Sequence, residues 1–507
     1  MEQHQRQHQF HRFRSHHECR RKPHGHVQRS RGFPISPRQS RLPAATCSGV
    51  AASFSPHWAG ISVLISLLFF GCQSRSIKAN PTFSEDIAPV IFKNCAPCHR
   101  PGEAGPFPLL SYNDVLKKAR TIAAVTKSRY MPPWPADPSY SHFLGERVLT
   151  DDQIRMIASW VENGSPRGDP ARLPPQPQFP RDSALGTPDL VVKMRDPVPL
   201  PGDNKDHFFV IKIPYEIPQD RFVRAIEFVP DNRKLMHHMN GHIVQYEDKK
   251  KDPFEGPYIA DRDSLKTLEE SYDAIRLLND DGSYPALTRS VANYLPGGVS
   301  PAGYDNGIGG WTLNRRGAFL MRDVHYGPSP IDSEDQSQFN VFFTDKPPAR
   351  PTKELQLGTL GVSEIIPPLI IPPNVVKTFT TKTVIEQDIS VLAVNPHMHL
   401  LGQSFEAFAA TPEGRTIPLV KIPKWEFRWQ YFYMFPRMLK IPKGSTIAAI
   451  GVYDNTTNNP NNPFSPPREV TGTNASMRMT DEMFQLMITY VPYQPGDENI
   501  AMGAPNR

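Results

Sequence analysis

The sequence predicts a multidomain protein: a small all-α domain followed by two all-β sandwich domains. Three observations carry that reading. Residues 80–166 hold three short amphipathic patterns of helical period, residues 167–188 are dense in proline, and residues 189–507 break into short β-type runs divided by Pro, Gly and Asn clusters. With 507 residues, 38% hydrophobic content and 55 prolines, the chain has room for about three domains and is too proline-rich to be mainly helical.

The helices follow in order. Ser84 is placed to cap a first helix with Ile87, Val90 and Ile91 on one face, and Pro89 inside that pattern is expected to kink it. Ser111 and Asp114 form a capping box for a second, which carries Val115, Leu116, Ala119 and Ile122. Thr150 and Gln153 form another for a third, whose face is Ile154, Ile157, Trp160 and Val161 and which Gly164 stops. Three such helices bury little by themselves, so a further group has to fill their core.

Within this segment stands Cys95-Ala96-Pro97-Cys98-His99. That is the spacing of covalent haem c attachment: two thiols add to the vinyl groups and the next residue, His99, binds the iron. A zinc site would need a second Cys/His pair at metal spacing, and no cysteine follows Cys98. Met131, in Arg129-Tyr130-Met131-Pro132-Pro133-Trp134, is the candidate for the far side of the iron, where a thioether raises the potential. Met156 and His142 are its rivals. The whole segment resembles bacterial c-type cytochrome domains.

The N-terminal part reads as a leader, residues 1–72. Residues 1–57, rich in Arg, His, Gln and Ser, cannot bury a core and are expected to be disordered. Trp58–Gly71 is an apolar run of 14 residues, short of the roughly 20 that a membrane-spanning helix needs. A basic region, a short apolar core and a small residue before Cys72 fit a secretory signal, and Phe69-Phe70-Gly71-Cys72 resembles a bacterial lipobox. Cys72 would then be lipidated; the alternative is an uncleaved anchor. Either places the folded part outside the cytoplasm, periplasmic or at the cell surface and membrane-anchored. Residues 1–50 hold ten Lys/Arg against two acids, so the formal charge of +6 belongs to the leader and the remainder is close to neutral. That excludes a basic nucleic-acid surface on the folded part.

Residues 167–188 suit extended polyproline geometry, a semi-rigid spacer. Beyond it, runs such as Phe208–Ile213, Phe222–Phe228, Phe319–Tyr326, Phe339–Thr344, Ile389–Val394, Ser404–Ala409, Thr446–Tyr453 and Phe484–Val491 read as strands, with one short helix near Ser264–Leu277. The stretch Asp345–Lys353 divides them into sandwiches at 189–348 and 354–507.

After His207 only six histidines remain, and they fall in three places: His237, His238 and His242; His325; and His397 and His399. His397-Met398-His399 puts two imidazoles on one face of a strand, a way to present two nitrogens to one metal. His237-His238 on a regular strand would point to opposite faces, so a bulge or loop edge has to turn one of them.

Leu235-Met236-His237-His238-Met239, Val324-His325-Tyr326-Gly327, His397-Met398-His399-Leu400-Leu401-Gly402 and Asp481-Glu482-Met483 together resemble the copper type II, ascorbate-dependent monooxygenases, the group of peptidylglycine α-hydroxylating and dopamine β-monooxygenases. The resemblance covers about 190–507. It implies two jelly-roll domains with one copper each, His237, His238 and His325 holding the first and His397, His399 and Met483 the second. Imidazole suits both copper oxidation states and a thioether favours Cu(I). His242 is a rival ligand in the first set, and Met398 and Met487 are rivals of Met483. The resemblance further implies hydroxylation of a C–H bond with O2 at the copper held by His397, His399 and Met483, which makes these three the catalytic set. It has departures too. The peptide-amidating members carry an Arg two residues before the His-x-His pair and a Tyr four after the Met; here Asn395 and Met487 stand there, so the clamp for a substrate carboxylate is missing and peptide amidation is not expected.

The expected function is therefore a copper-dependent monooxygenase with a haem c that takes electrons from a periplasmic donor, or an ascorbate-like reductant, and relays them to copper. The partners are O2, that donor, a small organic substrate and a membrane reached by a lipid or signal anchor. The alternative is a non-enzymatic haem and copper carrier; a haem-based sensor would need an open iron position.

Overall fold

The computed structural model describes residues 78–180, 182–247, 251–265, 267–298, 307–472 and 479–502. The leader, with Cys72, lies outside the described residues. From Ser74 onward the chain clusters as one compact unit. Among the described residues no helix is long and apolar enough to cross a membrane.

Among the described residues four α-helices occur: α1 (Ala88–Asn94), α2 (Tyr112–Lys127), α3 (Asp151–Glu162) and α4 (Leu268–Ala274). The capping boxes at Ser111 and Thr150 close α2 and α3 at their N-termini, and Gly164, with φ of 78°, follows the end of α3. Ser84 caps nothing. It is buried in a π-helical turn, Phe83–Ile87, and its hydroxyl donates to the Arg167 carbonyl at 3.0 Å. Pro89 stands in the first turn of α1, where its missing N–H costs little. Phe83, Ile91, Val115, Ile122, Ile157 and Trp160 pack α1, α2 and α3 together.

The expected fold class does not hold. The helices do not make a separate all-α domain, and one of the four belongs to the β region. Residues between α2 and α3 leave the helices and enter the second β unit. Ala136 and Phe143 are buried in its core, Trp134 packs against it, and the backbone N–H groups of Asp137 and Leu144 donate to Lys421 and Met434 carbonyls, each at 2.8 Å. The proline-rich stretch does not lead away either: the Pro166 and Arg167 carbonyls accept from Phe83 and Ser84, Gln176 donates to Leu110, and Arg172 pairs with Glu85. Local helical patterning was sound, but autonomy is decided by long-range packing that periodicity does not encode.

The β part forms two layered pairs of sheets, and every pairing within the strands is antiparallel. In the first, a 4-stranded sheet (Leu190–Lys193, Gln338–Thr344, Arg221–Val229, Trp311–Leu313) faces a 6-stranded sheet built around His207–Glu216, Arg316–Tyr326 and Met236–Gln245. Phe319 of one sheet stacks on Phe339 of the other at 4.5 Å, inside a core that includes Ile211, Ile226, Ile243 and Val341. On the outer face of the 6-stranded sheet, α4 and the following turn cover Val210, Val244, Ala318 and Leu320. There the buried Lys212 ammonium donates to the carbonyls of Glu255, Ile275 and Arg276.

In the second pair, a 4-stranded sheet (Lys353–Gly358, Phe484–Pro492, Ile389–Met398, Tyr433–Ile441) faces a 5-stranded one that includes Val376–Val384, Thr446–Asp454, Gly402–Ala410 and Thr416–Ile422. Phe484 meets Phe405 edge-on at 5.6 Å between them. Among the described residues all four large sheets are open paths with free edges, and strand pairing closes no jelly-roll barrel. The β-branched and aromatic runs fix strands and their buried faces; closure is a property of edges, which the runs do not specify.

Candidate metal centre

The strand Met236–Gln245 pairs with Arg316–Tyr326, and the pairing slips where the histidines stand. His238 opposes His325 and Met236 opposes Tyr326, so His237 has no opposite residue. It is the extra residue of a bulge, which lets two adjacent histidines turn toward one place. On the other strand the register breaks between Met321 and Val324, at Asp323 with φ of 50°. The three rings then gather: centroids lie 4.7 Å apart for His237 and His325, 5.0 Å for His238 and His325, and 5.3 Å for His237 and His238. One ligand nitrogen from each falls within 4.8 Å of the others. His237 Nδ1 and His238 Nδ1 face each other at 3.1 Å. His242 stays outside this group, its Nδ1 held by the Thr288 carbonyl at 3.0 Å.

Electrostatics keeps these rings neutral, the form a metal needs. Burial, then neighbouring His325, pulls His237 down to about 4. His238 falls well below the usual imidazole range through burial first and then through His325, His237 and His397. Burial also lowers His325, opposed by Asp206. Asp206 accepts a hydrogen bond from His325 Nε2 at 2.7 Å. A carboxylate facing Nε2 fixes the proton there and leaves the lone pair on Nδ1, which is buried without a hydrogen-bond partner. The donor set therefore fits a single metal ion.

The second histidine pair needs no bulge, since its members stand two residues apart. His397 opposes Gln485 and Met398 opposes Phe484 on the strand Phe484–Pro492. The ladder ends at Met398 and Phe484, and His399 and Met483 are the next residue beyond it on each side. The two rings lie 5.0 Å apart at 89°. His399 Nδ1 donates to the Asp481 carbonyl at 2.8 Å, which leaves Nε2 as its unprotonated nitrogen. His397 Nδ1 donates to Gln430 Oε1 at 2.5 Å; the Gln430 amide is oriented by its own donation to the Phe427 carbonyl at 2.8 Å. Burial and then His399 lower His397 to about 3, against the pull of Gln430. Glu482, fully buried, clasps the turn after the histidines by accepting from the N–H groups of His399 at 2.9 Å and Leu401 at 2.7 Å, and burial raises it to about 8. Met483 is buried, and its carbonyl accepts from Tyr453. That His397 contributes to the field at His238 puts the two histidine groups within electrostatic reach.

Residues 357–498 match the family model described as copper type II ascorbate-dependent monooxygenase, C-terminal domain. That match supports membership in this family for the C-terminal region only. The match contains His397, His399 and Met483 and stops short of the first histidine group. No curated protein matches the chain. Among solved structures, the infectious bursal disease virus VP2 subviral particle is similar at 10% identity over 65% of this chain and 77% of that one, with a TM-score of 0.16. PNGF-II is similar at 7% identity over 60% of each, with a TM-score of 0.18. Likenesses this slight carry no argument about the monooxygenase region.

Cys95, Cys98 and His99 sit at the end of α1. Both thiols are free, and burial pushes Cys95 up to about 12. His99 Nδ1 donates to the Phe107 carbonyl at 3.1 Å, leaving Nε2 as the lone-pair nitrogen, and burial lowers its affinity for protons. A Cβ on Gly105 would come 2.9 Å from His99 Nδ1, so only glycine lets the backbone hold the ring this closely. Free paired thiols and an imidazole turned by its neighbours fit a covalent haem. Met131 follows the end of α2, half-buried; among the described residues no hydrogen bond or ring contact joins it to His99. Asp206, Gln430 and Glu482 were not singled out by sequence. Glu482 lay inside a quoted motif; Asp206 and Gln430 carry no local signal, because their partners are 119 and 33 residues away.

Proposed function

We propose that this chain is a copper-dependent monooxygenase that hydroxylates a C–H bond of a small organic substrate with O2. Its electrons come from an extracytoplasmic donor by way of a haem c. The observation that carries the reading is the convergence of His237, His238 and His325 beside a histidine pair that lies within the monooxygenase-matched region. His237, His238 and His325 would hold one copper, and His397, His399 and Met483 the other. Copper at such sites supplies one-electron redox chemistry and activation of O2. Asp206, Gln430 and the Asp481 carbonyl fix the tautomers of His325, His397 and His399, so each ring meets the metal through a set nitrogen. Glu482 holds the turn between His399 and Leu401 next to Met483 in the chain. Cys95, Cys98, His99 and Met131 would hold the haem, which would supply single electrons. Asn395, whose amide donates to the Tyr431 carbonyl at 2.9 Å, is turned into the protein, which agrees with a substrate lacking a carboxylate.

The test is a count of copper and haem per chain, then O2 uptake with small aromatic and aliphatic compounds. Two coppers, one haem and uptake abolished in Met483→Ala are expected. Full metal loading with no O2 consumed on any C–H substrate would leave a non-enzymatic carrier.

A further inference from the structure

We propose that the aromatic stack Trp134–Tyr431–Trp429 is the route along which single electrons pass between an iron held at His99 and a copper held at His397. The proposal rests on the haem and copper reading above and adds the path between the two groups.

Tyr431 lies at the middle of the stack and is 3% exposed. Its ring is 5.8 Å from that of Trp134 at an interplanar angle of 24°, and 6.3 Å from that of Trp429 at 21°. Both pairs are stacked, at centroid distances within the range of interacting aromatic rings. The central ring of the stack, Tyr431, is the one that reaches the haem motif. A Cβ on Gly298 would lie 3.4 Å from the Tyr431 ring, and one on the adjoining Gly297 would lie 3.2 Å from Cys98 Sγ. Two consecutive residues without side chains thus let Cys98 and Tyr431 share one turn. Arg147 lines the same place, its guanidinium 3.7 Å from Cys98 Sγ. The link between Tyr431 and Trp429 in the chain reaches the copper ligands: Gln430 stands between them, and its amide oxygen accepts a hydrogen bond from His397 Nδ1.

Packing alone does not account for these side chains. Among the described residues Trp134 Nε1, Trp429 Nε1 and Tyr431 Oη are buried with no hydrogen-bond partner, and leaving a buried donor unpaired is costly. Leu or Phe would fill the space without that penalty. What the indoles add is a longer π surface across the gap between the two sites.

The step moves one electron. Iron goes from Fe(II) to Fe(III) as copper goes from Cu(II) to Cu(I); no bond breaks and no proton moves. The extracytoplasmic donor of the proposed function restores Fe(II).

The experiment uses the full chain, loaded with haem and copper, oxidised and kept anaerobic. A ruthenium photoreductant reduces the haem in a flash. Decay of the ferrous haem band and loss of the Cu(II) paramagnetic signal then report transfer without any substrate. Trp429→Leu and Tyr431→Leu are expected to slow that decay at least tenfold. Tyr431→Phe, which keeps the ring, should stay within about threefold of the unaltered chain. Resting haem and copper spectra of each variant confirm loading, and if Leu at 431 disturbs it, Trp429→Leu carries the comparison. Loaded Leu variants that transfer at the unaltered rate would overturn the stack and leave the monooxygenase reading standing. An unaltered chain that binds no haem or no copper, seen before any flash, would overturn both.

Discussion

A histidine binds metal well when its other nitrogen is already committed, and three candidate copper ligands and His99 meet that condition through different acceptors. His325 uses a carboxylate, His397 a side-chain amide, and His399 and His99 use backbone carbonyls. Asp206 is the acceptor most open to test, because it is half-exposed and its loss leaves no buried charge behind. Asp206→Ala is expected to weaken copper binding at the His237–His238–His325 group about 10–100-fold, read by titration against a competing chelator, while copper at the other group is unchanged. The ligands themselves were legible because chemistry-bearing residues are rare and their spacing is informative. Their supporting residues were not, since an aspartate or glutamine gains its role only when folding brings a ring to it.

At the scale of elements, the bulge at His237 shows what sequence does and does not hold. Two adjacent histidines on a strand demand an irregularity, and that demand can be read from the pair alone. Where the ladder slips, between His238 and Met236, depends on the opposing strand. The segment joining the two sheet pairs is similar. Its prolines mark a boundary, but Arg350 within it makes an ion pair with Asp497 at 2.7 Å, two residues that are nearly or fully buried. Arg350 and then the hydroxyl of Ser390 hold the Asp497 carboxyl down to about 2. A carboxyl depressed in the folded state adds stability above its unfolded value of about 3.8, and that contribution drains away as pH falls from there through about 2. Asp497→Asn should therefore unfold at lower denaturant at neutral pH, by roughly 2–3 kcal/mol at about 1.4 kcal/mol per pKa unit. The difference from the unaltered chain should shrink across that acid window in urea titrations.

For the whole molecule, the decisive segment is the loop between α2 and α3. Helix caps at Ser111 and Thr150 could be read in advance, and so could many short strands. The lodging of Phe143 against Tyr433 and Phe435 could not, because nothing near it in sequence announces a partner almost 300 residues away. Its consequence is measurable. Phe143→Ala removes a buried aromatic from the second β core, a change that costs about 3–5 kcal/mol. If the helices were autonomous, their unfolding, followed by Trp160 fluorescence or helical circular dichroism, would precede or follow that of the strands. The expectation instead is one shared transition that moves to lower denaturant as a whole in the variant.

The crowding around the Cys98 sulfur, with Arg147 on one side and the Gly297-Gly298 turn on the other, also dictates an order of manufacture. A thiol held near 12 carries almost no thiolate at neutral pH, so a finished fold would be a poor substrate for any enzyme that must bond a porphyrin to Cys95. On the haem reading proposed above, the pigment would have to be stitched on while the polypeptide is still open, before the sandwiches shut over it.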